Sequence, residues 1–140
     1  MRRFLTTTAT ASALTLGLMG AVMAQQQIVI SSEWGKVRAE LVDNEATRTL
    51  VKMLPVTIAM RDHLRQEKTG DLASPLPASP RQTGFSKGTL GLWSADHFVI
   101  YYTDGRVPQP GIVILGQVTD NVSIFDRTGQ VTVRVELAPK

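Results

Sequence analysis

The sequence predicts a mainly β fold, a small β-barrel with one short capping helix at about Glu45–Leu54. Short runs with apolar residues at every second position recur after residue 27, and this period is typical of β-strands. Only one stretch has the spacing of a helix. The segment Gly91–Val118 holds two of the most strand-like runs, Phe98–Tyr102 and Ile112–Val118, which we expect to form the central hairpin of the barrel.

Residues 1–24 are predicted to be a secretory signal peptide. Arg2 and Arg3 give a positive start, Ala11–Ala24 is uncharged and apolar, and Val22 and Ala24 occupy the −3 and −1 positions of a cleavage site after Ala24. A membrane anchor is the alternative, but a spanning helix needs about 20 apolar residues and this run is shorter. We therefore expect a periplasmic or secreted domain, residues 25–140, with no stable membrane insertion after cleavage.

The composition of the mature domain excludes several kinds of partner and of active site. The chain has 15 Lys+Arg and 12 Asp+Glu, and cleavage removes Arg2 and Arg3, so the mature net charge is +1. This balance gives no electrostatic reason to expect a nucleic-acid partner. The chain has no cysteine, which excludes disulfides, thiolate catalysis and sulfur-ligated zinc. The remaining 116 of its 140 residues are enough for one ordinary domain. The sequence does not indicate an oligomeric state.

The first elements are a hairpin and the helix. Ile28–Ile30 and Lys36–Val42 are predicted strands joined by a turn, and the second has alternate apolar positions typical of one wet face. Asp43-Asn44 offers a helix N-cap, and Pro55 ends the helix.

The rest of the chain is predicted to form two loops, five strands and a turn or short helix. Arg65–Gly88 loses all periodicity and is predicted to be a long loop over the barrel, either a binding loop or a surface loop without function. Pro108 and Pro110 make Asp104–Pro110 a loop. The further expected elements are strands at Val56–His63, Thr89–Trp93, His97–Thr103, Gly111–Val118 and Gln130–Leu137, and a turn or short helix at Thr119–Phe125 capped by Asp120.

This succession resembles the bacterial cyclophilin-like proteins over nearly all of Trp34–Leu137. The segments that carry the resemblance are LVDNEATRTLVKMLPVTIAMRD from Leu41, EKTGDL from Glu67, GTLGLWSADHFVIYYTDG and GIVILGQV. The resemblance implies a small closed cyclophilin-like β-barrel of about eight strands with a helix at one end.

The resemblance does not extend to isomerase activity. In cyclophilins that catalyse proline isomerisation, an F-H-R strand is followed by F-M-x-Q-G, with the arginine bonding the substrate amide. The nearest positions here read TIAMRDHLRQEK, which contains Met60 and Arg61 but neither the Phe-His-Arg order nor the Gln-Gly pair. The fold alone cannot supply the missing activity.

Other active-site patterns are also missing. His63 and His97 are the only histidines, and their spacing builds no metal site, so we expect surface or hydrogen-bonded roles and no metal. No G-x-S-x-G and no G-x-G-x-x-G after a strand is present, and we expect no cofactor. Carboxylate pairs, Asp62 with Glu67 or Asp96 with Asp104, are only weak candidates for acid–base work.

Five residues are predicted to line a ligand pocket at one mouth of the barrel. They lie at strand ends or in the proline-rich loop, and they are Met60, Asp62, Trp93, Tyr102 and Arg106. Alternatively, Arg106 pairs with Asp104 or Asp96 at the surface and the long loop fills the cleft. The sequence favours an exported binding module for a peptide or small molecule that is not an enzyme. The alternatives are a divergent peptidyl-prolyl isomerase using Arg61 or Arg106, and a structural subunit of a larger envelope assembly.

Overall fold

A β-sheet that closes on itself forms the body of the molecule. The computed structural model describes residues 25–140, so the predicted signal peptide lies outside the described residues. The elements are β1 (Gln27–Ser32), β2 (Gly35–Leu41), α1 (Glu45–Met53), β3 (Val56–His63), β4 (Glu67–Asp71), β5 (Arg81–Gln82), β6 (Gly84–Phe85), β7 (Thr89–Leu92), β8 (His97–Tyr101), β9 (Gly105–Arg106), β10 (Ile112–Val118), a 3-10 helix (Val122–Phe125) and β11 (Val131–Leu137).

Eight of these strands make the barrel. Their order is β2-β1-β11-β3-β4-β8-β7-β10, and β10 pairs again with β2, which closes the ring. The closing pairing is antiparallel and joins Gly116–Val118 to Ala39–Leu41. Short β5 adds to β10, and β6 pairs with β9 in a separate two-stranded sheet. The mainly β prediction and the closed barrel are both confirmed.

Alternate side chains fill the barrel, as the period of two predicts. On β3, Ile58 and Met60 are buried, whereas Thr57, Ala59 and Arg61 on the other face are exposed. A second, smaller apolar cluster lies against the outside of the barrel and consists of Phe85, Val99, Tyr101, Val107 and Ile112. It explains why β8 is apolar on both faces.

The helix is confirmed with almost the predicted bounds. Asn44 is the N-cap, because its side chain accepts from the Thr47 backbone N–H at 2.8 Å while the Thr47 hydroxyl oxygen accepts from the Asn44 N–H at 3.1 Å. Ala46 and Leu50 pack into the barrel core. Among residues 25–140, no helix has both the length and the apolar character needed to cross a membrane.

The predicted central hairpin is wrong. β8 pairs with β4 and β7, and β10 pairs with β7, β2 and β5, so β7 lies between the two strand-like runs. The short connection Trp93–Asp96 lets β7 and β8 form the hairpin instead, with Leu90 opposite Ile100. The loop before β10 is also more ordered than predicted, since Gly105 and Arg106 pair with β6.

The long loop begins later than predicted. Glu67–Asp71 forms a strand, β4, between β3 and β8. Four of its residues are buried although most of them are polar, and this hides the strand from a search for apolar periodicity. The short helix near residue 122 is confirmed, but Asn121 caps it; Asp120 instead accepts from the Arg38 backbone N–H at 3.0 Å.

Candidate functional site

Three neighbouring strands, β3, β4 and β8, present most of their polar side chains on the outer face of the barrel. The register sets Arg61 opposite Thr69 and His63 opposite Glu67 across β3 and β4. Across β4 and β8, Glu67 lies opposite Tyr101, and Asp71 lies opposite His97. Because partners directly across neighbouring strands lie side by side, these residues form continuous polar rows.

An open cavity of about 230 Å³ lies over these rows, and we call it the outer cleft. Trp93, which directly follows β7, forms part of its wall. The residues that line it are Arg61, His63, Glu67, Thr69, Trp93 and His97. Its volume is below the roughly 300–1,000 Å³ of most small-molecule pockets, so it suits a single small group.

Glu67 is the unusual residue of the outer cleft. Its side chain is 0 % exposed, and its Oε2 accepts a hydrogen bond from Trp93 Nε1 at 3.3 Å. Its second oxygen, Oε1, has no hydrogen-bond partner. The nearest basic atom is Nε2 of His63 at 3.9 Å, beyond hydrogen-bonding distance. One carboxylate oxygen is thus fixed and the other is left unsatisfied.

Burial is the main cause of the raised pKa values of Glu67 and Tyr101. It raises the pKa of the Glu67 carboxyl above its usual value, and the neighbouring Trp93, Tyr101 and two histidines only partly oppose the rise. Burial also raises the pKa of Tyr101 far above its usual range, and the adjacent Glu67 charge adds to the rise. The Tyr101 hydroxyl is the second buried side-chain atom without a hydrogen-bond partner in the described residues.

A chain of polar contacts orders the other side of the cleft. His97 Nδ1 lies 3.2 Å from Asp71 Oδ1, and His97 Nε2 contacts the Thr69 hydroxyl. The sequence of carboxylate, imidazole and hydroxyl resembles a nucleophile relay. Thr69 is only 2 % exposed, however, so its hydroxyl is covered by its neighbours. The contacts fix the His97 ring as a wall of the outer cleft.

Arg61 brings a free cation to the same cavity. Its side chain is exposed and makes no hydrogen bond or ion pair with any residue in 25–140. Arg61 and Glu67 are diagonal neighbours on β3 and β4, yet they do not pair. The cleft therefore offers a donor and an acceptor that are both available to a ligand.

The five residues predicted to line a mouth fall into three places. Tyr102 donates to Asp62 at 2.5 Å at the end of the barrel away from α1, and Met60 is buried in the core. Trp93 lies on the outer face in the outer cleft. Arg106 is exposed and donates to the Thr83 hydroxyl at 2.8 Å rather than pairing with Asp104 or Asp96.

The end of the barrel around Asp62 is filled by a buried lysine. Lys68 is 0 % exposed, and its ammonium donates to Asp62 Oδ1 at 2.8 Å and to the Arg127 carbonyl oxygen. Its Nζ also lies 5.3 Å from the ring centroid of Trp34 and 5.5 Å from that of Tyr102. The Asp62–Lys68–Tyr102 cluster is a satisfied polar network inside the barrel.

Sequence reasoning missed the key residue of the outer cleft. The sequence suggests Glu67 only as a carboxylate partner of Asp62, but the two lie on opposite faces of the sheet. The available signal is the Glu67-Lys68 pair in the segment EKTGDL, where adjacent opposite charges begin β4.

A larger cavity of about 400 Å³ lies beside β10. Its lining residues are Val42, Gln82, Gly84, Phe85, Ser86, Thr89, Ile114, Gly116 and Gln117. None of them holds a buried polar side-chain atom without a partner, whereas Glu67 does in the outer cleft. In residues 25–140 no group of three His, Cys, Asp or Glu side chains is placed to hold a metal ion.

The model of the Cyclophilin-like family matches residues 30–136. A comparison with curated proteins finds no match. The fold is similar to the solution structure of a hypothetical protein from Archaeoglobus fulgidus, with a TM-score of 0.66 and 14% identity over 86% of this chain and 100% of that chain. It is also similar to a cyclophilin type peptidyl-prolyl cis-trans isomerase of Cryptosporidium parvum, with a TM-score of 0.59 and 13% identity over 84% and 99% of the two chains.

Proposed function

This chain belongs to the cyclophilin-like family, and on that premise we propose that it is an exported binding module that takes a peptide or small molecule in the outer cleft and catalyses nothing. The observation that carries the proposal is the Glu67 carboxylate, fully buried with Oε1 unsatisfied in the floor of an open cavity. A buried acceptor without a partner costs about 1–3 kcal/mol, and a ligand that donates to it recovers part of that cost.

The cavity also has the general composition of a binding site. Trp93 supplies apolar surface, Arg61 can donate to an acceptor, and Glu67 can accept from a donor. A few polar groups converging on an aromatic wall are the usual form of a ligand pocket. The absence of the Phe-His-Arg and Gln-Gly motifs supports binding without catalysis.

The test is a ligand screen on residues 25–140. A pool of short peptides and small metabolites is screened by thermal shift, in which a ligand raises the melting temperature in a concentration-dependent way. Hits are then mapped by ¹H–¹⁵N NMR on the unchanged protein and on Glu67→Gln and Arg61→Ala variants. We expect hits to shift the Trp93 indole signal and to weaken in both variants. Hits that map only to the cavity beside β10, or a screen without hits, would refute this proposal.

Isomerase activity is the second candidate, and the position of Arg61 favours it over Arg106 as the active residue. Arg61 lies in the outer cleft without a partner, whereas Arg106 is bonded to Thr83 outside it. The Cryptosporidium parvum structure with a similar fold is a peptidyl-prolyl isomerase. A proline-peptide isomerisation assay separates the candidates: a rate increase that Arg61→Ala abolishes and Arg106→Ala leaves intact would establish catalysis.

Export is the part of the proposal that rests on sequence alone. The positive start, the apolar run and the small residues before Gln25 support it. Expression of the full chain in a bacterium, followed by fractionation and N-terminal sequencing, tests it. We expect the protein in the periplasm or the medium with Gln25 as its first residue, and full-length protein in the cytoplasm would contradict export.

A further inference from the structure

The chemistry of the outer cleft indicates what kind of group its ligand must carry. An ionised carboxylate only accepts hydrogen bonds. In Glu67 the Trp93 indole already occupies Oε2. The Tyr101 hydroxyl, across on β8, makes no hydrogen bond with Oε1, so that oxygen is open to a donor from a ligand. A donor that also carries positive charge satisfies both the hydrogen bond and the buried charge, and such bonds are about twice as strong as neutral ones.

We propose that the ligand of the outer cleft carries an ammonium group, which binds Glu67 Oε1 after displacing the side chain of His63. This inference rests on the proposed binding function and names the chemical class of its ligand. The ammonium is held by Glu67 Oε1, while the Trp93 indole N–H, which donates to Oε2, keeps the carboxylate in place. The cavity of about 230 Å³ has the volume of roughly eight water molecules, which suits one ammonium-bearing group.

His63 is the part of the cleft that must move. Its side chain is 48 % exposed and lies beside Glu67 Oε1, with Nε2 at 3.9 Å from that oxygen. It makes no hydrogen bond within residues 25–140, so little holds it in place. It is the last residue of β3, and the following Leu64 and Arg65 have positive φ values in an exposed turn. Rotation of the imidazole toward solvent opens the carboxylate without disturbing the sheet.

Charged and titratable side chains face the outer cleft from all three of its strands. β3 contributes exposed Arg61 and His63, β4 contributes Glu67 and Asp71, and β8 contributes His97 and the buried Tyr101. Asp71 contacts His97, whereas Glu67 makes no hydrogen bond with a charged side chain. Arg61 lies at the exposed side of the cavity, where water weakens its repulsion of a cation. Arg61 also remains available to an acceptor on the same ligand.

The test uses two probes of equal shape, 2-phenylethylammonium chloride and neutral 2-phenylethanol. Each is titrated into residues 25–140 at about pH 8, above the ordinary carboxyl range, while ¹H–¹⁵N NMR follows the Trp93 indole N–H. Trp93→Phe identifies its signal against that of Trp34. We expect the ammonium to bind at least about tenfold more tightly than the alcohol. Glu67→Gln should abolish the preference, His63→Ala should strengthen ammonium binding, and Glu40→Gln, a glutamate on β2 outside the cleft, should change neither.

Three results would overturn the inference. Equal affinity for the two probes would show that charge is not recognised, although a shift of the Trp93 signal would still support a binding cleft. Ammonium preference that survives in a folded Glu67→Gln variant would place the cation elsewhere. No shift of Trp93 with either probe would reject the ammonium assignment, and the independent peptide and metabolite screen would then decide whether the cleft binds anything.

Discussion

Replacing Lys68 by methionine should be among the most damaging single changes in this barrel. The side chain is 0 % exposed, and the change removes its ammonium while keeping most of its volume. Asp62, whose side chain is 15 % exposed, and the Arg127 carbonyl oxygen both lose a donor. Breaking a buried ion pair from one side costs about 3–5 kcal/mol. Asp62 keeps its bond from Tyr102, so we expect about 3 kcal/mol.

Urea unfolding of residues 25–140 measures this loss, with Lys36→Met as the control because Lys36 is an exposed lysine on β2, across the barrel from β4. The control should stay within about 0.5 kcal/mol of the unchanged protein. Asp62→Asn and the double variant complete a cycle, and the two single losses should add to more than the double loss because the partners are coupled. A loss below about 1 kcal/mol in Lys68→Met, or strict additivity in the cycle, would refute the assignment of Lys68 and Asp62 as a coupled buried pair.

The same pair makes stability depend on pH. Burial alone raises the pKa of Asp62, but the hydrogen bonds from Lys68 and Tyr102 outweigh it and the pKa is lowered. A group with a lowered pKa in the folded state stabilises above its unfolded value and loses that contribution as pH falls through the folded value. We expect the difference between the unchanged protein and Lys68→Met to shrink as pH falls through the acidic range of Asp62.

Three further predictions concern other parts of the molecule. Because the pKa of Glu67 is raised in the folded state, that state holds an extra proton at pH values between the unfolded and folded pKa. The free energy of unfolding should therefore fall as pH rises through that interval. Glu67→Gln should remove this pH dependence in urea titrations and be at least as stable as the unchanged protein at neutral pH, and an unchanged pH dependence would contradict the prediction. Gly70→Ala should cost about 3 kcal/mol or more because its Cβ would lie 2.4 Å from the Ala59 carbonyl oxygen, whereas Gly84→Ala, with open space, should cost little in the same assay. Asn44→Ala should cost about 1–2 kcal/mol through loss of the helix cap and of its bond to the Ile114 carbonyl. Asp43→Ala, which removes only an exposed pair with Arg48, should cost clearly less in the same assay, and equal losses for the two variants would show that Asn44 is not the effective cap.

Strands with one apolar and one polar face could be predicted because their pattern records which face is buried. The β1–β2 hairpin, β3 and β11 were found in this way. β4 could not be found, since most of its buried residues are charged or polar, and Lys68 among them is satisfied by a group distant in sequence, the Arg127 carbonyl. The order of the strands in the sheet could not be predicted either. The spacing of apolar residues along the chain does not reveal that β7 lies between β8 and β10.

The candidate site was predictable only in part. Asp62 and Tyr102 were expected together, and they do hydrogen-bond, because both come at the ends of recognisable strands. Trp93 was expected beside them but lies outside the barrel, since a residue beyond a strand's last paired position can turn to either face. Glu67 escaped notice because a buried carboxylate without a full set of partners contradicts the usual rule for burying charge.

The adjacent Glu67 and Lys68 face opposite sides of one strand, and this has a consequence for how the chain finds its alignment during folding. A shift of β4 by one residue against its neighbours would turn every side chain to the other face. The carboxylate would then point into the barrel and the ammonium would leave Asp62 and Tyr102 behind. An apolar strand buried on both faces tolerates such a slip. The two opposite charges of β4 find their partners in only one register. β4 is thus fixed in place by its charges as well as by its backbone hydrogen bonds.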